Sequence, residues 1–267
     1  MIDPTAEDRS DRREPGWILG FDTATRATAV ALADAGGEVL EARDDPPRGE
    51  RPRHVSRLLP LCAEVLDRAG IDYQDLERLA VGVGPGTFTG LRIGVATARA
   101  LSQASAIPLV GVSTLQSLAL NAMSDGPRPE VEAVAAVLDA RRGEAFAAAW
   151  RLEQLKTPGS AGRTALTSPP GDPLIAAAAF TPELLAERLA ALRLHILALG
   201  EGAVEFRTVL ESSGAFVPDD QAGLHRITAA GHCRIARQVP PADPTQITPH
   251  YLRLADAEIA RRAAGKQ

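Results

Sequence analysis

Apolar residues in the first half of the chain alternate between short runs typical of strands and longer stretches with helical spacing. Runs at 17–22, 28–33 and 38–42 are separated by turn residues and predict three antiparallel strands. The pattern then predicts a helix at 55–69, a strand at 79–83, a helix at 89–105 and a strand at 109–112. A further helix is predicted at 114–121. Gly70 follows the first helix and is a typical terminator.

The second half repeats this order. An apolar strand at 131–139 ends in an acid, as 17–22 does, and a return strand follows at 145–150. Thr181 and Pro182 begin a helix as cap and first-turn residue, and a strand at 194–199 then leads into Gly200-Glu-Gly. A duplicated unit of this kind predicts an α/β protein with two similar lobes and a cleft between them.

These patterns also divide the chain. Residues 154–178 are rich in Pro, Gly, Ser, Thr and Ala, which is typical of a flexible insertion. We expect a disordered extension at 1–15, a first lobe at 16–115 and a second lobe, which holds the insertion, at 116–250. A C-terminal segment follows at 251–267.

Composition and charge limit the function classes. The 267 residues carry 34 acids and 29 Lys or Arg, a formal net charge of −5. A protein that grips nucleic acid alone usually has a basic excess, so we expect any RNA contact to be made through a partner. Cys62 and Cys233 do not have the spacing of a metal site. No apolar run approaches the ~20 residues of a membrane span, and the first residues contain no apolar core of a signal peptide. We therefore expect a cytoplasmic protein.

A glycine-rich turn between a strand and a helix is the most distinctive segment. Gly84-Pro-Gly86-Thr87 precedes a helix N-terminus, whose N–H groups and positive dipole end favour an anion. With the acid that ends the first strand, this predicts a nucleotide or phosphate site at Asp22, Thr23, Gly84, Gly86 and Thr87. A lone Gly-x-Gly turn is a weak signal, and the lysine of a P-loop does not follow it.

Small residues form a stripe on the helix after this turn. Gly90, Gly94 and Ala98 are spaced four apart, and each glycine within a helix costs roughly 1 kcal/mol relative to alanine. Close approach of another backbone is the usual compensation. The stripe can pack on the sheet of its own lobe or on a partner, and the sequence leaves both open.

Six motifs in order resemble those of the TsaB (YeaZ) family. The longest is the string at 84–95; the others lie at 22–25, 53–60, 108–115, 139–144 and 249–253. The similarity is good over about 17–150 and looser elsewhere. It implies a duplicated actin-like ATPase fold (ASKHA, ribonuclease H-like) and kinship with the catalytic proteins TsaD and Kae1.

The resemblance further implies a non-catalytic paralogue. The catalytic relatives carry His-x-x-x-His at positions that here read Thr114 and Leu118, so we expect no catalytic residues and no metal site. The implied role is a subunit that supports a TsaD-like protein in forming N6-threonylcarbamoyladenosine (t6A37) in ANN-decoding tRNAs. A TsaE-like ATPase would join, ATP or ADP would bind only in the complex, tRNA would be reached through the complex, and the chain alone would homodimerise.

The same resemblance implies that the first two helices form the partner or dimer interface. The expected residues are Leu58, Leu59, Cys62, Leu66, Leu91, Arg92, Gly94, Val95, Ala98 and Leu101. His54 either touches that partner or belongs to a helix end, and the acids Asp22 and Asp139 either form a degenerate metal–phosphate site or cap turns.

Two other function classes remain open. One is an ATP-binding transferase or kinase of the same fold that acts alone. The other is a peptidase, which is disfavoured because no nucleophile–base pair or zinc motif can be read from the spacing of residues.

Overall fold

The computed structural model describes residues 16–47, 49–123, 130–156 and 172–253. Its first sheet begins with three antiparallel strands, as predicted: β1 (Trp17–Asp22), β2 (Thr28–Ala33) and β3 (Val39–Asp44). Strands β4 (Leu76–Gly84) and β5 (Leu109–Ser113) add in parallel, which gives the order β3-β2-β1-β4-β5.

Two long helices cover one face of this sheet. Helix α1 (His54–Ala69) ends at Gly70, whose φ of 68° is the left-handed conformation that glycine adopts without steric cost. Helix α2 (Phe88–Ser105) follows β4 through the glycine-rich turn. Buried side chains of α1, α2 and the sheet, among them Phe21, Leu58 and Leu79, form one apolar core on this outer face. The short helix α3 (Thr114–Ala119) follows β5 on the other side.

The second sheet repeats the first with one strand fewer. Strands β6 (Ala133–Arg141) and β7 (Glu144–Arg151) form an antiparallel hairpin, and after α4 (Leu152–Lys156) strand β8 (Ile175–Phe180) pairs antiparallel with β7. Helix α5 (Pro182–Ala191) begins at Thr181, whose Oγ1 accepts the Leu184 amide at 3.3 Å, as the sequence predicts. Strand β9 (Ile196–Leu199) then pairs parallel with β6.

The sheet order β8-β7-β6-β9 matches β3-β2-β1-β4, so the duplication predicted from the sequence is confirmed. Both units also end their parallel strand on a glycine with positive φ, Gly84 at 115° and Gly200 at 111°. Together the two sheets give the duplicated actin-like ATPase (ribonuclease H-like) fold. The remaining helices of the second half are α6 (Glu201–Glu205), α7 (Arg207–Ser212) and α8 (Ala230–Ala236).

Helix α8 packs on the first sheet although it belongs to the second half of the chain. It contacts β1, β2, β4 and β5, and it also contacts α3. A buried apolar cluster therefore runs from Ile18 of the first sheet through Leu115 and Cys233 to Val134 of the second sheet. Two lobes held by a shared core are expected to move little relative to each other.

The structure differs from the predicted elements at several points. Residues 175–178, which the sequence pattern assigned to the insertion, belong to the edge strand β8. The alanine-rich sequence does not predict a strand by itself, and the pairing with β7 supplies its hydrogen bonds. Residues 157–171 of that insertion and the terminal segments 1–15 and 254–267 lie outside the described residues. Thr87 is the residue before α2, but its hydroxyl does not cap the helix. None of the helices in the described ranges has the length and apolar character needed to span a bilayer.

Candidate functional site

A buried polar network lies where β1 ends. Asp22 is 1% exposed, and its Oδ2 accepts hydrogen bonds from the Thr114 hydroxyl at 2.8 Å and pairs with His232 Nε2 at 2.9 Å. Its Oδ1 accepts the Ala24 amide at 2.6 Å. Both oxygens of the carboxylate therefore make hydrogen bonds within the chain itself.

The same network continues through His232 to α3. His232 Nδ1 lies 2.8 Å from Ser117 Oγ, and the Ser117 hydroxyl also donates to the Thr228 carbonyl at 3.2 Å. Residues Asp22, His232 and Ser117 therefore lie in the order of a catalytic triad. All three are almost completely buried, however, and an added methyl at Gly231 would overlap the Ser117 side chain, so no substrate has room beside the hydroxyl. We read the arrangement as structural.

Hydrogen bonding sets the charge of this network. Burial alone raises the pKa of Asp22, but the hydrogen bond and charge of His232, with bonds from Ala24 and Thr114, outweigh it and hold that pKa below its ordinary value. Burial lowers the pKa of His54, and the charge of Asp22 opposes this only in part. His54 Nδ1 bonds the Thr28 hydroxyl at 2.9 Å, and its buried Nε2 has no partner among the described residues. His54 thus packs at the start of α1 within its own lobe.

The segments that hold the five residues predicted to bind phosphate pack against each other: the turn after β1 lies against the glycine-rich turn and the start of α2. The Thr87 amide donates to the Ala24 carbonyl at 2.7 Å, and Thr23 Oγ1 donates to the Gly90 carbonyl at 2.7 Å. Added methyls at Gly86 and Gly90 would overlap the backbone of Ala24 and Thr23 respectively. The turn after β1 therefore packs directly on the glycine-rich turn and on the first turn of α2. A pocket of about 360 Å³ beside α8 is lined by none of these five residues.

The small-residue stripe packs on its own lobe, which resolves the alternative that the sequence left open. An added methyl at Gly94 would overlap the Thr23 hydroxyl and lie 3.8 Å from Val81, and Ala98 is fully buried. The cost of glycine in α2 is offset by this close approach to the turn after β1.

Seven of the ten predicted interface residues are interior. They are Leu58, Cys62, Leu66, Leu91, Gly94, Val95 and Ala98, which belong to the buried faces of α1 and α2. Helical periodicity marks an apolar face without saying what covers it, and here the first sheet covers it. Leu59 is 49% exposed, Leu101 is half-buried, and Arg92 is exposed.

The strand-end acid of the second lobe makes a turn. Asp139 Oδ1 accepts the Arg141 amide at 2.7 Å, and its Oδ2 lies 3.1 Å from the Arg141 guanidinium. In the described part of the chain, no three His, Cys, Asp or Glu side chains lie close enough together to hold a metal ion.

Comparison with known proteins agrees with the fold and with the motifs. A family model described as "TsaD: tRNA N6-adenosine threonylcarbamoyltransferase" matches residues 46–165. The chain is 37% identical over 137 residues to the tRNA threonylcarbamoyladenosine biosynthesis protein TsaB of Escherichia coli (strain K12), and 33% identical over 129 residues to that of Haemophilus influenzae. These alignments cover 51% and 48% of this chain, and they span about half the length of the curated relatives, 56% and 51%. An uncharacterized protein of Mycobacterium tuberculosis (strain ATCC 25618 / H37Rv) is 33% identical over 61% of this chain and 72% of its own length.

Among solved structures, YeaZ from Pseudomonas aeruginosa superimposes with a TM-score of 0.69 at 26% identity, covering 89% of this chain and all of its own. The chain belongs to the TsaB (YeaZ) family. A second structure from that organism, described as similar to the peptidase YEAZ, gives a TM-score of 0.70 at 27% identity over 89% of this chain and 100% of its own. The geometry does not favour a peptidase, because Ser117, the serine that lies beside His232, is buried.

Membership of the TsaB family makes the motif positions interpretable. The motif at 22–25 supplies the turn that packs against the glycine-rich motif at 84–95. The motif at 249–253 contacts the glycine-rich motif through the bond from Arg92 Nε to the Tyr251 hydroxyl at 3.1 Å, and Arg253 reaches the motif at 139–144. These four motifs are therefore linked by contacts.

The residues that sequence reasoning missed are those joined across long separations. Neither His232 nor Ser117 belongs to a motif that can be recognised from the sequence. They are separated from each other by 115 residues, and His232 is separated from Asp22 by 210. The sequence does carry one indication of a close contact, the glycine Gly231 next to His232 in an apolar helix. The spacing of residues does not tell which segment packs against that glycine.

Proposed function

We propose that this chain is the non-catalytic partner subunit of a complex that forms t6A37 in ANN-decoding tRNAs, where it binds and supports a TsaD-like catalytic subunit. The observation that carries the proposal is the state of the two positions where catalytic relatives have histidine. Thr114 is fully buried and donates to Asp22, and Leu118 is fully buried in the core between the sheets. The curated relatives named as tRNA threonylcarbamoyladenosine biosynthesis proteins give the reaction.

The internal hydrogen bonds of Asp22 and of the glycine-rich turn favour a non-catalytic role over an enzymatic one. Strand-end carboxylates hold metal–phosphate groups only when their oxygens are available. Both oxygens of Asp22 are engaged within the chain, and the Thr87 amide is bonded to Ala24. ATP or ADP therefore belongs to the assembled complex in this proposal, with a TsaE-like ATPase as a further partner.

Helix α1 offers a surface for the catalytic subunit. Val55 is 78% exposed and Leu59 49%, and they lie one turn apart on the same face, with exposed Ala63 one turn further along. These two are the most strongly exposed large aliphatic side chains in the described part of the chain. We propose that this face binds the TsaD-like subunit and, without it, pairs with a second copy of the chain in a cytoplasmic homodimer.

Reconstitution tests the proposal. The purified chain is mixed with the TsaD-like and TsaE-like proteins of its own genome, and co-elution and t6A formation on an ANN-decoding tRNA transcript are measured. We expect modification only when the chain is present. Failure to co-elute, together with undiminished modification in its absence, rejects the proposal.

A calorimetric titration distinguishes this proposal from the alternative of an enzyme that acts alone. An ATP-binding transferase or kinase predicts micromolar binding of ATP with magnesium to the chain alone. We expect no such binding, because both oxygens of Asp22 and the Thr87 amide already make hydrogen bonds within the chain.

A further inference from the structure

The pocket of about 360 Å³ beside α8 is formed by three separate parts of the chain. They are the turn between β2 and β3, the 3₁₀ turn at Leu120–Met123, and α8 with the residues on either side of it. In the antiparallel pair of β1 and β2, Asp22 lies opposite Ala29, whereas Ala33 of the pocket lies opposite Ile18. The pocket therefore reaches the end of the first sheet that is remote from the Asp22 carboxylate.

Much of the wall of this pocket is apolar. Ala33, Leu120 and Cys233 line it and are buried, and Val39 lines it while remaining 44% exposed. Burial raises the pKa of the Cys233 thiol to about 12, so this side chain acts as a neutral apolar group at physiological pH. A ligand with an apolar body would cover Val39 and gain the free energy of removing that surface from water.

A guanidinium group is held at the side of the pocket. Arg237 is half-buried, and its Nη2 donates to the Ala33 carbonyl at 3.2 Å and to the Gly16 carbonyl at 3.5 Å. These carbonyls orient the guanidinium but do not neutralise its charge. Among the described residues, no carboxylate forms an ion pair with Arg237, although partly buried cations are usually paired. The pocket thus contains an oriented cation that has no anionic partner.

A second guanidinium lies one helical turn away. Arg234 precedes Arg237 by three residues, lines the same pocket and is exposed. Its guanidinium makes no hydrogen bond or ion pair with any other residue that the structure describes. Two cationic groups are therefore available to one anionic group of a ligand.

The acids near the pocket leave both guanidiniums available. Asp34 lines the pocket, and its Oδ1 accepts the Glu38 amide at 2.7 Å. Glu41 lies beside the pocket, where burial raises its pKa while Arg43 and the Ala230 amide act in the opposite direction. Neither acid forms an ion pair with the two arginines of the pocket. Asp34 would repel a second negative charge, so the arrangement favours a ligand that carries one.

We propose that this pocket binds a small organic carboxylate, with the carboxylate group held by Arg237 and Arg234 and an apolar body lying against Val39 and Leu120. Guanidinium groups suit a carboxylate because two N–H groups can reach both of its oxygens. A carboxylate carries one charge at neutral pH, whereas a phosphate monoester carries nearly two and would meet Asp34. The volume lies at the lower end of the roughly 300–1,000 Å³ of small-ligand sites. The proposal concerns the chain by itself and does not depend on the subunit role.

The test compares three probes that share one apolar body. Phenylacetate, phenethyl alcohol and phenethylamine are titrated separately into the full-length chain, and binding is followed by ligand-observed NMR. We expect phenylacetate to bind with a dissociation constant on the order of 1 mM, as suits so small a probe. The alcohol and the amine should bind about tenfold more weakly or not at all, because neither pairs with a guanidinium.

Variants locate the binding. Arg234→Gln should weaken phenylacetate about tenfold, since it removes one charge-assisted contact without breaking a bond within the described residues. The matched control is Arg188→Gln on α5, which removes an exposed arginine that does not line the pocket and should leave the affinity unchanged. Val39→Ala should weaken the probe about threefold through lost apolar contact. Thermal melting verifies that each variant is folded.

Every outcome decides the proposal. Selective binding of phenylacetate that falls in Arg234→Gln and Val39→Ala but not in Arg188→Gln supports it. No binding of phenylacetate, or equal or tighter binding of the alcohol or the amine, rejects it. An equal loss in Arg188→Gln indicates a general effect of charge and also rejects it. Because the titration uses the chain alone, either result leaves the subunit role to be decided by reconstitution.

Discussion

His232 Nε2 lies 2.9 Å from Asp22 Oδ2 in the interior of the protein, joining a helix near the end of the chain to the first strand. The pair engages Oδ2 of the carboxylate that ends β1, which the Thr114 hydroxyl also reaches. It is one of the contacts that hold α8 against the first sheet.

Removing the histidine tests this pair. We expect His232→Ala to destabilise the protein by about 3–5 kcal/mol, because Asp22 remains as a buried carboxylate that has lost its hydrogen-bond partner at Oδ2 on α8. Urea denaturation measures the free energy of unfolding. His195→Ala is the control, since that side chain is 79% exposed and its removal should change stability by less than about 0.5 kcal/mol. A loss of similar size in both variants would contradict the role of the pair.

Acid should weaken the fold in two steps. The folded pKa of His54 is lowered, so the unfolded state binds more protons and stability falls as pH decreases below the ordinary histidine value near 6.5. The folded pKa of Asp22 is also lowered, so its contribution is complete above the ordinary value near 3.8 and is lost as pH falls through the folded value. Denaturation midpoints at pH 8, 6, 5 and 4 measure the first step, and His54→Gln should flatten it. A wild-type midpoint that does not change between pH 8 and 5 would rule out the histidine contribution.

The glycine stripe gives a packing test. Gly90→Ala should destabilise by about 2 kcal/mol or more despite the higher helix propensity of alanine, because the added methyl meets the Thr23 carbonyl. Gly223→Ala meets nothing within 4 Å and serves as the matched change, with an expected effect below about 1 kcal/mol. Thermal unfolding compares the two, and a Gly90→Ala protein as stable as wild type would show that the turn after β1 can yield.

The partner face of α1 gives a binding test. We expect Leu59→Glu to abolish co-elution with the TsaD-like subunit, because a charge is placed at the centre of the proposed contact, while the fold is retained at this 49% exposed position. Leu184→Glu on α5, at 40% exposure, is the control and should leave co-elution unchanged. Size-exclusion chromatography measures the co-elution of both variants. If Leu59→Glu still binds the TsaD-like subunit, this face of α1 is not the interface.

The two thiols should be inert in the native protein. Burial raises the pKa of Cys62 and of Cys233 to about 12, so neither forms an appreciable thiolate at neutral pH. A chromogenic disulfide reagent should therefore titrate both only after denaturant is added. Rapid reaction of either thiol in native buffer would show that its helix opens locally.

The sequence by itself determined the elements that local chemistry specifies. Each of these signals acts within a few residues: the runs of apolar residues in strands, the left-handed Gly70, and Thr181-Pro182 at the start of a helix. The repeated order of elements predicted the two-lobed fold. It did not specify β8, whose hydrogen bonds come from β7. Nor did it say whether the apolar faces of α1 and α2 meet a partner or their own sheet, because periodicity records only that a face is covered.

Only the tertiary structure decided the site. Asp22, Thr114, Ser117 and His232 come from three distant segments, and the two bonds of His232 exist only once α8 lies on the first sheet. The sequence of the glycine-rich turn favours an anion, and only the structure shows that the backbone of Ala24 packs against Gly86. Local patterns constrain the backbone through steric and hydrogen-bonding preferences of neighbours, whereas the availability of a polar atom depends on every segment that packs against it.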